Sequence, residues 1–302
     1  MIRLGSSLPP LHKIQLWFAL AVVGAAPVAA QQARPTVSDD SLHITGIFNS
    51  DLPRTERKFH LRLVVHPHFG DFTQRDNLRV PITLIYGVTS RWELSEETDT
   101  YFAHGLGKER LFSRAGFSAL GVATKYRIGD QLWPGWDIGV SAGYISPIDH
   151  PPAEVTDALR HFTTSITFAH QLENHPAIRV FFAPSSDLVT HTTLAFEPTK
   201  NQLRDNSQGL TVGAVWERGV MTYTLETGYF TTRLTGHTSQ DLYQVRPGFV
   251  FVIPRKWTFH AKGQWLFGLS MTASHGPDGN HFTFSGKLRI NFDFKRHKEP
   301  AP

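Results

Sequence analysis

The sequence contains no cysteine, which excludes a disulfide framework and a thiolate metal site. Charge is sparse as well. Asp, Glu, Lys and Arg make up 19% of the 302 residues, below the roughly 25% of an ordinary soluble protein. The net charge of +4 comes from scattered basic residues, so the clustered footprint of a nucleic-acid-binding protein is missing. Long apolar runs are also lacking. Ile14 to Ala26 is too short to span a bilayer comfortably, and beyond Gln31 no apolar run reaches the roughly 18 residues of a transmembrane helix. Aromatic residues, by contrast, reach 12%.

The N-terminus carries Arg3 and Lys13, then the apolar stretch Ile14 to Ala26, then Val28-Ala29-Ala30 before Gln31. A positive region, a short apolar core and small residues at a cleavage position are the marks of a signal peptide. Residues 1–30 are therefore expected to be removed on export. Residues 31–58 are polar and contain Pro35 and Pro53. They read as a periplasmic leader or a plug, with a short strand at Leu42 to Phe48.

From Phe59 onward apolar and polar residues alternate with period two. In the last such stretch Phe282, Phe284, Leu288, Ile290, Phe292 and Phe294 share one face with Gly286. His281, Thr283, Ser285, Lys287, Arg289, Asn291 and Asp293 occupy the other. Side chains on a strand point alternately to its two faces, so one face is apolar throughout and the other polar throughout. The pattern recurs in Phe59 to Val65, Val80 to Val88, Leu120 to Arg127, Trp136 to Tyr144, Phe162 to Phe168 and Trp257 to Leu269. The spacing predicts an all-β fold, a transmembrane antiparallel β-barrel of about twelve strands over residues 59–294, with a tail at 295–302.

The connections support this. Short ones fall near Thr89-Ser90, Gly129 to Pro134, Glu173 to Pro176, Glu217 to Gly219 and Pro254 to Lys256. Longer polar ones fall at Phe69 to Asn77, Ala103 to Ala115, Ser146 to Ala158, Pro198 to Ser207, Thr232 to Gln240 and Thr272 to Asn280. Alternating short turns and long loops are what an outer-membrane barrel shows at its periplasmic and extracellular ends. The order requires Ala177 to Glu197 to be one long strand, kinked near Pro184. Tyr86, Trp92, Tyr126, Trp136, Trp216, Trp257 and Phe294 lie toward the short-turn end, as an interfacial girdle would. A secreted β-sandwich also alternates, but one of this length needs two domains, and no boundary follows Phe59. Glu96 resists the scheme, because alternation from Trp92 points it at lipid. A bulge or an early exit into the loop would relieve this.

The segment LIYGVTSRWEL, Leu84 to Leu94, resembles a hairpin of the outer-membrane family named for the meta-pathway of phenol degradation. GFSALGVATKYRI, Gly116 to Ile128, resembles that family's next strand. The resemblance implies an outer-membrane protein that passes small, often aromatic, compounds. The chain departs from the family at Ser95 to Asp99, where an acidic run stands. Phe292 and Phe294 resemble the terminal strand read by the barrel-assembly machinery, although Lys295 to Pro302 trails beyond it.

Sixteen histidines invite a metal or catalytic reading. His66-Pro67-His68 and the cluster His275, Asp278, His281 lack the ligand set of a zinc site. Ser274-His275 lacks a third partner for a serine nucleophile. No enzyme, metal or cofactor is expected. Parity instead points Arg62, Arg79, Lys125, Arg127, Arg179, Arg246, Lys262, Lys287 and Arg289 into the lumen, against Glu93, Asp137, Glu226 and Asp293. That excess of basic groups predicts an anion-favouring channel or uptake porin for small solutes, aromatic or anionic. The alternative is a closed structural or adhesion-type barrel with partner-binding loops. The expected partners are outer-membrane lipid, a small-molecule solute and the assembly machinery, with no nucleic acid.

Overall fold

A computed structural model describes residues 52–69, 77–103, 114–151, 155–156, 158–192, 203–258 and 264–292. The β segments among them are β1 (Leu61–Val65), β2 (His68–Phe69), β3 (Asn77–Gly87), β4 (Trp92–Ala103), β5 (Arg114–Gly129), β6 (Trp136–Pro147), β7 (Leu159–Gln171), β8 (Ile178–His191), β9 (Ser207–Arg218), β10 (Met221–Thr231), β11 (Asp241–Val252), β12 (Gln264–Gly276) and β13 (Gly279–Phe292). The signal peptide, the strand expected at Leu42 to Phe48, Lys262, Asp293 and the C-terminal tail lie outside the described residues.

Sequential segments pair antiparallel, and β1 pairs both β3 and β13, so the sheet closes on itself. β1 and β2 are two halves of one strand, since β2 also pairs β3 and β13. Pro67, which has no N–H to donate, separates them. The thirteen segments, two of them sharing one strand position, therefore make a closed barrel of twelve strands. Closure leaves no sheet edge, the condition for a β structure in lipid. Segments β3 to β13 run from 11 residues in β3 to 16 in β5, enough to cross a bilayer at a tilt.

Burial is inverted relative to a soluble protein. Phe282 is 61% exposed and Val122 54%, whereas Arg289 is 3% exposed and Glu226 4%. Along β10 the two classes alternate residue by residue. Lipid solvates the apolar outer face, and the polar face turns inward.

Two local features depart from the expectations and two refine them. Glu96 stays on the outer face, opposite Leu84 and Val122, because the bulge in the β4–β5 ladder comes later, at Asp99/Thr100. Trp257 belongs to a 3-10 turn over Arg255–Thr258, not to a strand. The expected loop at Thr272 to Asn280 is instead paired strand. The register runs unbroken to Gly276 opposite Gly279, where a φ of 92° at Gly279 makes the tight turn. Finally, β8 is one strand as required, but its ladder with β7 is interrupted between Ser165↔Ser185 and Phe168↔Phe182, where Pro184 has no donor.

Candidate functional site

The inner face of the barrel gathers the charged residues into pairs. Lys125 on β5 meets Glu93 on β4 at 3.0 Å, and Arg127 meets Asp137 at 2.8 Å. Arg246 on β11 lies 3.6 Å from Glu226 on β10 and also donates to the Thr272 hydroxyl. Arg79 binds Asp99 through Nε at 2.9 Å. Each pair joins residues on adjacent strands, where cross-strand neighbours of opposite charge attract. Lys287 and Arg289 on β13 are buried at 8% and 3% exposure. Arg179 on β8 is in electrostatic reach of Asp137 and Glu217, and of the cations Arg54 and Arg127.

Residues 52–58, which precede β1, lie inside this face. Leu52 is 2% exposed and packs in one cluster with Ala169, Phe181 and Val215. Its carbonyl accepts a hydrogen bond from Lys125 Nζ at 3.4 Å. The Glu56 backbone N–H donates to the Glu93 carboxylate, and the Glu56 carboxylate pairs with Arg62. Thr55 donates to the Ser90 carbonyl at 3.0 Å. Two glycines make room. A Cβ on Gly139 would lie 2.8 Å from Pro53 Cα, and one on Gly87 would lie 2.0 Å from the Arg57 carbonyl oxygen. The chain then turns into β1 through Phe59, at a φ of 63°. All of these contacts fall toward the short-turn ends of the strands.

Toward the loop ends, Val155 from the β6–β7 connection packs on Tyr101 of β4, at 2% and 4% exposure. His161 Nδ1 and Asp187 Oδ2 lie 2.8 Å apart on β7 and β8. A third inner feature is apolar: Val250 and Leu266 are buried together, with Val252 beside them.

Sequence reasoning missed several acids. Glu97 accepts from Thr83 at 2.9 Å, while Asp99, Asp187 and Glu217 pair or interact as described above. Glu97 and Asp99 share the parity of Glu93 and were open to the same reading. Glu56 was not, because it stands outside any strand. Among the described residues these acids stand beside Arg62, Arg79, Lys125, Arg127, Arg179, Arg246, Lys287 and Arg289, with Arg54 from the leader, so the basic excess there is smaller than parity alone suggests.

The Ser274 hydroxyl donates to the His281 carbonyl at 3.5 Å, and the His275 ring meets the Asn280 side chain at 2.8 Å. Among the described residues no group of three His, Asp or Glu is placed to hold a metal ion.

A closed twelve-stranded barrel with a lipid-facing apolar surface defines the chain as an outer-membrane β-barrel, resident in the bacterial outer membrane. No protein-family model matches the chain, and no curated protein matches it by sequence. Solved structures do. An outer-membrane channel of Pseudomonas putida F1 superimposes with a TM-score of 0.52 at 10% identity, covering 81% of this chain and all (100%) of that one. The NanC porin gives 0.47 at 10% identity, over 77% of this chain and 100% of its own. The CymD monoaromatic hydrocarbon channel gives 0.42 at 10% identity, over 87% and 94%. At such identity the likeness to the Pseudomonas channel speaks for the fold alone.

Proposed function

We propose that the barrel is a conduit for small solutes, gated at its short-turn end by residues 52–58. The observation that carries this reading is the seating of that segment. It is held by hydrogen bonds to Glu93, Lys125 and Ser90, by the Glu56–Arg62 ion pair and by packing of Leu52 on Ala169, Phe181 and Val215 of the wall, and by none of the strand-pairing bonds of the barrel. A segment held in this way can leave and return without unfolding the barrel.

The inner face suits an amphipathic or aromatic solute better than a bare anion. Its ions are largely matched in pairs, so the net field that would select anions is weak. Between them lie apolar patches at Val250 and Leu266 and at Phe181 and Val215. The resemblance of Leu84 to Leu94 to the meta-pathway phenol degradation family favours the same solute class. No catalytic step is assigned, because Ser274 and His275 engage other partners. The final strand, β13, is the element the barrel-assembly machinery would read.

Planar-bilayer conductance of the refolded mature chain tests the reading. Wild-type protein should show small or intermittent openings. Gly139→Leu, whose side chain needs the space of Pro53, should raise the open fraction. Silence in both would favour the closed structural barrel.

A further inference from the structure

The outer wall carries a feature that the conduit does not use. A hollow of about 360 Å³ opens on β8, β9 and β10, bounded by Trp136 and Phe182 on one side and Leu225 and Thr227 on the other. Its floor is low because Ala214 presents only a methyl group between the large outward neighbours Val212 and Trp216. Phe181, on the inner face, lies against Gly213, so close that a Cβ would fall 2.5 Å from its ring. The ring of Phe182 meets Trp136 edge-on at 5.6 Å and stacks on Phe168 at 4.6 Å. The wall of the hollow is thus built from fixed aromatic rings.

The hollow is continuous with the lipid-facing surface, since Val212 and Leu225 beside it are 46% and 49% exposed. Only a hydrocarbon chain offers matching chemistry there. Four residues further along β9, toward the short turn, stands Arg218. Its guanidinium lies 5.6 Å over the Trp216 ring, and that ring lies 5.5 Å from Tyr223. The register sets Tyr223 opposite Trp216 and Leu225 opposite Ala214, so cation, aromatic pair and hollow form one line up the wall. From Ala214 to Arg218 is about 14 Å at about 3.4 Å per residue. On strands tilted by roughly 35–45° that is about 10–11 Å along the membrane normal, about a third of the roughly 30 Å hydrocarbon core.

We propose that this line is a binding site for one glycerophospholipid of the periplasm-facing leaflet, with its phosphate at Arg218 and one acyl chain in the hollow over Gly213 and Ala214. Short turns mark the periplasmic end of such barrels, and the β9–β10 turn at Gly219-Val220 is among the shortest. The site therefore draws on the phospholipid leaflet. Arginine presents a donor fork suited to phosphate, and the Trp216–Tyr223 pair sits where amphipathic rings favour the headgroup level.

Native mass spectrometry of the mature chain in detergent, titrated with dioleoyl phosphatidylglycerol, tests the site. Wild-type protein should retain one lipid. Ala214→Phe, which fills the hollow from the outer face, should weaken retention about tenfold, equivalent to about 1.4 kcal/mol, and Arg218→Glu should do the same. Ala273→Phe, on the outer face of β12, should retain lipid like the wild type. Heat-modifiable gel migration certifies folding, and Thr227→Phe fills the hollow from β10 should Ala214→Phe fail to fold. Unchanged retention in a folded hollow-filling variant overturns the proposal. So does an equal loss in Ala273→Phe, or a loss confined to Arg218→Glu, which would reduce the site to a headgroup contact.

Discussion

At the short-turn end, residues 52–58 are seated on the inner face through Lys125, Glu93 and Arg62, side chains that are all nearly buried. Toward the loop end, one of the described inward contacts is apolar, Val155 against Tyr101. Buried ions are directional, and stranding one of them is costly. Apolar contact is non-directional and scales with the area removed from water. A closure that must hold and also release a segment gains from the first kind, since the partners define a single seat. The second kind only covers space. The two ends should therefore respond to mutation with different size and reach.

The largest effect is expected at the ionic end. Glu93→Ala removes the carboxylate that balances the buried Lys125 charge and the acceptor for the Glu56 N–H. With side-chain exposures of 7% and 11% in the pair, the loss should be about 3–5 kcal/mol. Urea unfolding followed by tryptophan fluorescence measures it. Glu93→Ala with Lys125→Met should recover part of the loss, because the stranded charge is gone. A double variant as unstable as the sum of the singles would show that the pair does not act as a unit.

A smaller and more local effect is expected at the apolar end. Val155→Ala removes about two methyl groups' worth of burial, or about 1–2 kcal/mol at roughly 0.8 kcal/mol per CH₂. Because Val155 belongs to a connection and not to the wall, the loss should appear as faster proteolysis of the β6–β7 connection, with the urea midpoint of the barrel unchanged. A shift of that midpoint as large as the one from Glu93→Ala would erase the distinction between the two ends.

The wall itself was legible from sequence, and the reason is physical. Lipid outside and polar groups inside write a period-two code on every strand, which is why Arg62, Glu93, Lys125, Asp137, Glu226 and Arg289 could be set on one face before any coordinates. The contacts that seat residues 52–58 were not legible. The bond from Lys125 to Leu52 spans 73 residues, and the segment that supplies Leu52 has no periodicity to read. Glu96 remained ambiguous for a related reason. Alternation gave its face correctly, but one bulge in either of two places would have changed the answer, and bulges leave little trace in composition. The β12–β13 turn was misread as a loop because Gly276 to Gly279 is polar and glycine-rich, a composition shared by long loops and tight hairpins.

The loop end also contains an electrostatic clasp, and its expected response is the smallest. Asp205 lies just before β9. Partial burial tends to raise its carboxyl pKa, but hydrogen bonds from the backbone N–H groups of His237, Asn206 and Thr238, with the nearby His237 charge, lower it, and the lowering prevails. The Asn206 N–H donates at 2.8 Å, and Arg204 and Asp278 pair nearby at 3.4 Å. A folded pKa below the unfolded value of about 3.9 means that the clasp contributes fully above that value. Its contribution is lost as pH falls through the depressed folded pKa. Between pH 7 and pH 5 the Asn206 amide resonance should therefore stay fixed, and it should move only in strong acid. Asp205→Asn keeps an acceptor oxygen for one of the two N–H groups, Asn206 at Oδ1 or His237 at Oδ2, and should abolish the titration while leaving the barrel's urea midpoint unchanged. An Asn206 amide that still moves in strong acid in Asp205→Asn would remove Asp205 from the account of the loop end.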